Sequence, residues 1–399
     1  MRRLTLFFIT TLLLLGCRSA TAEEAVVIAT ATLRPASPQP SATPTRRLAT
    51  AAPDRAASAP SPTRPPTATL VPTQTPPPTP RLRRLTEGSC CTEAYWHNEA
   101  EIRFIDQEPE TGQTGLWSLD ISRDPPARAF VTDRLGVASP DDRYFAYPDR
   151  STGLAVIEDA QTGESWSLDL HESPVNFSPD SRRILWIEID QDVPFEERVP
   201  VYWLSNVDGS NRRRVATVPR SSTLAWLDSD TLLISQFEAE ANRSRFGTQM
   251  ATLSKLSLVD GAVTKLLRIE RPRGLSLNPA RTALVYYTAF ADDPADNGLW
   301  YLDLTAIPLA PRKLPFLGAY RWQGNEALVY VPFDPEEESH LFYSLDLASG
   351  QSHPLTDAGQ PQLKITNNDW SVSPDGSKIL FLASWGEALD GLWLVELAP

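Results

Sequence analysis

The strongest constraint on this chain is that its sequence repeats. Gly115-Leu116-Trp117-Ser118-Leu119-Asp120-Ile121 returns as Gly298-Leu299-Trp300-Tyr301-Leu302-Asp303-Leu304 and as Gly391-Leu392-Trp393-Leu394-Val395-Glu396-Leu397, with a looser copy at Leu341-Phe342-Tyr343-Ser344-Leu345-Asp346-Leu347. A second repeat couples a turn to an apolar strand. Phe177-Ser178-Pro179-Asp180 precedes Ile184-Leu185-Trp186-Ile187, and Val372-Ser373-Pro374-Asp375-Gly376 precedes Ile379-Leu380-Phe381-Leu382. Ala138-Ser139-Pro140-Asp141 and Leu277-Asn278-Pro279 are weaker copies, while Trp96, Trp226 and Trp322 mark three that keep an aromatic and lose the proline. Aligned on the turn, the copies stand at positions 98, 140, 179, 228, 279, 324 and 374, about 46 residues apart on average. Such a period means a structural unit that buries its apolar faces against its neighbours.

A repeat of that length with four short strands is the size of one propeller blade, so the sequence predicts an all-β, seven-bladed β-propeller over residues 81–399. Proline presets φ at the second turn position, the preceding Ser or Asn bonds back to the backbone, and Gly376 accepts a positive φ. Runs such as Ala283 to Tyr287 and Leu328 to Val331 are nearly continuous in apolar residues, as strands buried on both faces require. The last blade ends at its third strand, Trp393 to Leu397. Arg81-Leu82-Arg83-Arg84-Leu85-Thr86 resembles the outer strands at 212–218 and 351–356, so this N-terminal strand is expected to close the ring beside the C-terminal blade and to remove its open edge.

The Ser373-Pro374-Asp375-Gly376 turn, followed by Lys378-Ile379-Leu380-Phe381 and by Gly391-Leu392-Trp393, resembles the TolB-like class of WD-repeat-related bacterial propellers, which also supplies the ring domain of prolyl-oligopeptidase-type enzymes. The resemblance covers residues 81–399 and bears on fold rather than activity. Asp142 and Ser181 stand where that turn has its glycine. There is no Gly-x-Ser-x-Gly elbow and no hydrolase stretch after the ring, so peptidase chemistry is not expected.

The N-terminal segment is of another kind. Arg2 and Arg3 precede a largely apolar run, Leu4 to Leu15, that ends in Leu14-Leu15-Gly16-Cys17. This resembles a bacterial lipoprotein signal, which implies removal of residues 1–16 and lipid on Cys17. Residues 17–80 are expected to form a lipid-anchored, disordered Pro/Thr/Ala-rich stalk, because 14 of the 36 prolines fall between Pro35 and Pro80 and no apolar stripe accompanies them. The ring is then extracytoplasmic, on the periplasmic or cell-surface side of a bacterial membrane.

The first 84 residues carry a net charge of +8 in a chain of net charge −13, so the ring holds the negative charge and no nucleic-acid partner is expected. Loops between second and third strands hold 17 acids against 3 arginines. Asp190, Asp192, Glu196, Glu197, Asp292, Asp293, Asp296, Glu336, Glu337 and Glu338 form the candidate acidic binding face. The resulting expectation is a monomeric, non-catalytic display module that binds a cationic protein partner of the cell envelope, a basic peptide or divalent ions. No cofactor is expected beyond Ca²⁺ at Asp292, Asp293 and Asp296, which cluster oxygen ligands without EF-hand spacing. The alternative is a carbohydrate-active or other enzyme using carboxylates at the propeller face, which needs two acids converging on one pocket. His97, His171, His340 and His353 lack zinc-ligand spacing. The adjacent Cys90 and Cys91 either pair as a vicinal disulfide that stiffens the entry to the first blade or stand as two half-buried thiols. Trp117, Trp300 and Trp393, equivalent by position, read as core.

Overall fold

A computed structural model describes residues 81–397 apart from 89, 92, 109–110, 195–196, 239–249, 271, 334–339, 357–363 and 384–389. These residues form seven four-stranded antiparallel sheets, the blades of an all-β propeller. In chain order, blades 1 to 6 span 95–132, 137–168, 176–217, 221–270, 273–313 and 318–354. Blade 7 takes three strands from 365–396 and its outermost strand from Arg81–Arg84. All seven repeat positions fall at the turn between a blade's first and second strands.

The closing strand behaves as its sequence suggests. Arg81–Arg84 runs antiparallel to Gly391–Glu396, in register from Arg81 opposite Glu396 to Arg84 opposite Trp393. The Leu85 amide donates to the Leu392 carbonyl at 2.8 Å, and the Thr86 hydroxyl accepts the Leu392 amide at 2.9 Å. This crossing explains the glycine of the Gly-Leu-Trp repeat. At Gly391 an added Cβ would lie 2.5 Å from the Thr86 carbonyl oxygen, and at Gly115 it would lie 2.4 Å from that of Thr132. The fourth strand's path passes where a side chain would stand.

The core lies between blades rather than within one. Leu185, Tyr202 and Leu204 of blade 3 meet Trp226, Leu232 and Ile234 of blade 4, and Ile102, Phe104 and Leu119 of blade 1 meet Leu380, Leu392 and Leu394 of blade 7. Many of these side chains are fully buried, each contributing roughly 1.5–3 kcal/mol of transfer free energy. Six of the seven seams carry such a cluster. The seam between blades 1 and 2 has none among the described residues. Strand alternation turns Arg103, Ile105 and Ser118 toward Tyr147, Val156 and Glu158 there, and Ile105 remains 39% exposed.

Third-strand tryptophans are covered from the outer strand by arginine. The Arg128 guanidinium lies 4.1 Å from the Trp117 ring, Arg212 lies 5.0 Å from Trp203, and Arg84 lies 5.9 Å from Trp393. Trp117 is buried, whereas Trp300 and Trp393 are half-buried. Cation–π contact adds to the packing of Trp117, Trp203 and Trp393 at the rim.

Candidate functional site

Antiparallel pairing puts the first-to-second and third-to-fourth turns of every blade on one face of the ring, and the second-to-third loops with the blade-to-blade connections on the other. On the turn face, several aspartates are used up locally. In blade 3 the buried Ser178 hydroxyl donates to Asp180 at 2.6 Å and accepts the Arg183 amide at 3.0 Å, and Ser181 adopts φ +58°. Ser139 with Asp141, and Ser373 with Asp375, repeat this arrangement, while Asn278 reaches the amides of Thr282 and Ala283 itself. Burial works against ionisation of Asp141, Asp180 and Asp375, but the serine hydroxyls and nearby amides outweigh it and hold all three below the ordinary carboxylate range. At the third-to-fourth turns, Asp120 accepts from Ser122, Asp208 from Ser210, Asp303 from Thr305 and Asp346 from Ser349, and each is likewise lowered by those hydrogen bonds.

The loop face differs. Asp190, Asp192, Glu197, Asp292, Asp293 and Asp296 are all exposed there. Asp190 accepts the Asp192 amide at 2.9 Å, and Asp293 caps a single 3-10 turn, Pro294–Asp296, by accepting the Ala295 amide at 2.8 Å. The carboxylates of Asp292, Asp293 and Asp296 do not converge to within 4.8 Å of one another. The Asp292 amide donates to Glu270 at 3.2 Å; burial, with the charges of Asp292 and Asp296, pushes Glu270 up. Glu196, Glu336, Glu337, Glu338 and Cys17 lie outside the described residues.

Where blades 6, 7 and 1 meet, the structure holds one expected feature, the Cys90–Cys91 disulfide, together with groups that sequence reading missed. Cys90 and Cys91 are joined by a disulfide, with Cα atoms 3.7 Å apart, and Cys91 is 2% exposed in the seam between blades 7 and 1. Cys91, Glu93 and Asn368 have φ of +68°, +58° and +59°. Asn368 belongs to a register break in the first strand of blade 7, between Ile365 and Trp370. The Glu93 amide donates to Asp369 at 3.0 Å, and burial, with the Glu93 charge, pushes the Asp369 carboxyl up. Arg321 of blade 6 stitches this bulge from the other side, donating to the carbonyls of Trp370 at 3.0 Å, Tyr320 at 2.8 Å and Asn368 at 3.1 Å. Tyr320 and Trp322 reach the opposite neighbour, blade 5, at the carbonyls of Gly274 and Ser276.

On the turn face, Glu99 of blade 1 comes within hydrogen-bonding reach of Asp375 of blade 7; burial and that neighbouring carboxylate raise Glu99. Arg103 donates to His97 Nε2 at 2.9 Å and pairs with Glu101 at 2.9 Å, while His97 Nδ1 faces Asp142 at 3.6 Å. The Glu99–Asp375 and His97–Asp142 approaches join different blades and leave no contiguous motif. The only local signals were the Cys90-Cys91 pair and the polar run Asn367-Asn368-Asp369 in an inner strand.

No protein-family model matches the sequence, and a comparison with curated proteins finds no match. Solved structures do match. An oligogalacturonate lyase in complex with manganese is 15% identical, with 80% of this chain and 96% of that one covered and a TM-score of 0.54. The acylaminoacyl peptidase of Pyrococcus horikoshii is 14% identical at a TM-score of 0.51; the match covers 77% of this chain and 53% of the peptidase. TolB from Acinetobacter baumannii is 13% identical, with 66% of this chain and 65% of that chain covered at a TM-score of 0.37. The expectation that this chain is not an enzyme is thereby corrected, because the lyase and the peptidase are enzymes that share its ring. The missing elbow and zinc spacings excluded only chemistries written as contiguous motifs, whereas a ring assembles side chains from separate blades. In fold, this chain is a seven-bladed β-propeller closed by its N-terminal strand, and TolB proteins are among its solved neighbours.

Proposed function

We propose that this chain is a lipid-anchored propeller, working as a single copy outside the cytoplasm, that captures a cationic protein segment on its loop face. The observation that carries this reading is a set of unengaged carboxylates on the loop face. Asp192, Glu197 and Asp296 make no side-chain hydrogen bond or ion pair among the described residues, whereas Asp141, Asp180 and Asp375 on the turn face clamp turns. Such a surface steers basic partners and is screened by salt. Cys17, residues 17–80 and residues 81–399 take the roles of lipid anchor, stalk and ring. No helix among the described residues is long and apolar enough to cross a membrane. The test is binding of a fluorescent Lys-rich peptide to the full chain across ionic strengths. Affinity is expected to fall with salt and to drop in D192N/E197Q/D296N; equal binding by both chains at low salt would refute the reading. Labelling with radioactive palmitate, lost in Cys17→Ser, tests the anchor.

A further inference from the structure

We infer that reduction of the Cys90–Cys91 disulfide unmasks, together with Asp106, a binding site for a soft divalent cation such as Zn²⁺ or Cd²⁺. The three side chains come from two segments that meet on the loop face: the connection from the closing strand to blade 1, and the end of that blade's second strand, Glu101–Gln107. One donor atom from each residue lies within 4.8 Å of the other two. A single ion with bonds of about 2.3 Å to sulfur and about 2.0–2.2 Å to oxygen spans that triangle after small side-chain rotations.

The surroundings suit the charge. Two thiolates, one carboxylate and a divalent cation leave one negative charge, and Arg128 Nη2 stands 3.2 Å from Asp106 to balance it. Arg128 is held in place by the rings of Trp117 at 4.1 Å and Phe104 at 5.7 Å, and the Trp117 indole donates to the Asp106 carbonyl at 3.2 Å. The Thr86 hydroxyl is 3.1 Å from the Cys90 sulfur, which carries no proton as a disulfide or as a thiolate, so the hydroxyl is the donor. Outer contacts of this kind orient metal ligands and tune their basicity. Cys91 is buried, and the half-buried Cys90 offers the way in.

The chemistry balances with a dithiol reductant as the other reactant. Its two thiols become a disulfide, the Cys90–Cys91 bond takes up two electrons and two protons to become two thiols, and metal binding releases those protons to solvent. In the oxidised chain both sulfurs are bonded to each other and the site is closed.

The experiment uses the full chain carrying Cys17→Ser, so that only these two sulfurs report. The chain is reduced, freed of reductant and titrated with Cd²⁺ while thiolate-to-cadmium charge-transfer absorption is followed. One equivalent should saturate the band, the oxidised chain should show none, and Asp106→Asn should weaken binding by about tenfold or more. A second readout needs no substitution: Zn²⁺ should raise the thermal unfolding midpoint of the reduced chain and leave the oxidised one unchanged. A reduced chain without the band, a band in the oxidised chain, or Asp106→Asn binding as tightly as its parent would overturn the inference.

Discussion

At Ser139, Ser178 and Ser373 one buried hydroxyl donates to the aspartate two residues on and accepts the amide five residues on. Removing it leaves a buried amide without a partner, so Ser178→Ala is expected to cost about 1–3 kcal/mol of unfolding free energy in urea titrations. Loss of less than a few tenths would mean that water replaces the hydroxyl. The turn itself was legible, since proline fixes one dihedral and its neighbours' hydrogen-bonding groups are local. Arg321 was not legible, because its three acceptors include carbonyls of a strand some fifty positions away. Arg321→Met should destabilise the chain while Arg81→Met, at an exposed position of the closing strand, should not.

At the scale of elements, the closing strand decides whether blade 7 has an edge. Deleting residues 81–86 removes four paired positions and the packing of Leu85, and exposes the whole of Gly391–Glu396 to strand addition. The expected outcome is a markedly lower melting temperature with aggregation; unchanged melting would contradict the closure. The repeated turns make a second claim. Asp141, Asp180 and Asp375, with Asp120, Asp208, Asp303 and Asp346, have folded-state pKa values below those of the unfolded chain. Their contribution is therefore present above about pH 4 and is lost as pH falls through the folded values. Glu99, Glu270 and Asp369, raised in the fold, act in the opposite sense but are fewer. The urea midpoint should be level near neutrality and drop steeply below about pH 4; equal midpoints at pH 6 and pH 3 would refute the clamps.

For the whole molecule, stability is distributed unevenly around the ring. Six seams are filled by buried aliphatic and aromatic clusters, whereas strand alternation places Arg103, Ile105 and Ser118 of blade 1 opposite Tyr147, Val156 and Glu158 of blade 2 at a seam with no such cluster among the described residues. Sub-global opening is expected there first. Hydrogen exchange should show the least protection in Tyr144–Asp149 and Leu154–Asp159 among middle strands; slowest exchange at those strands would show that polar contacts suffice. The closing seam between blades 7 and 1, which the chain itself crosses between Arg84 and Tyr95, carries its own buried cluster and should stay shut longer.

The sequence by itself determined the blade count, the turn positions, the role of Arg81–Arg84 and the adjacency of Cys90 and Cys91, because all of these follow from local chemistry repeated at a constant period. Only the tertiary structure decided which carboxylates are consumed and which face outward, and which side chains meet across blades. Glu99 with Asp375, Glu93 with Asp369, and Cys90 and Cys91 with Asp106 are brought together by ring closure. Side-chain proximity in a propeller depends on the stacking of separate sheets, and a one-dimensional pattern carries the period of that stacking but not its contacts.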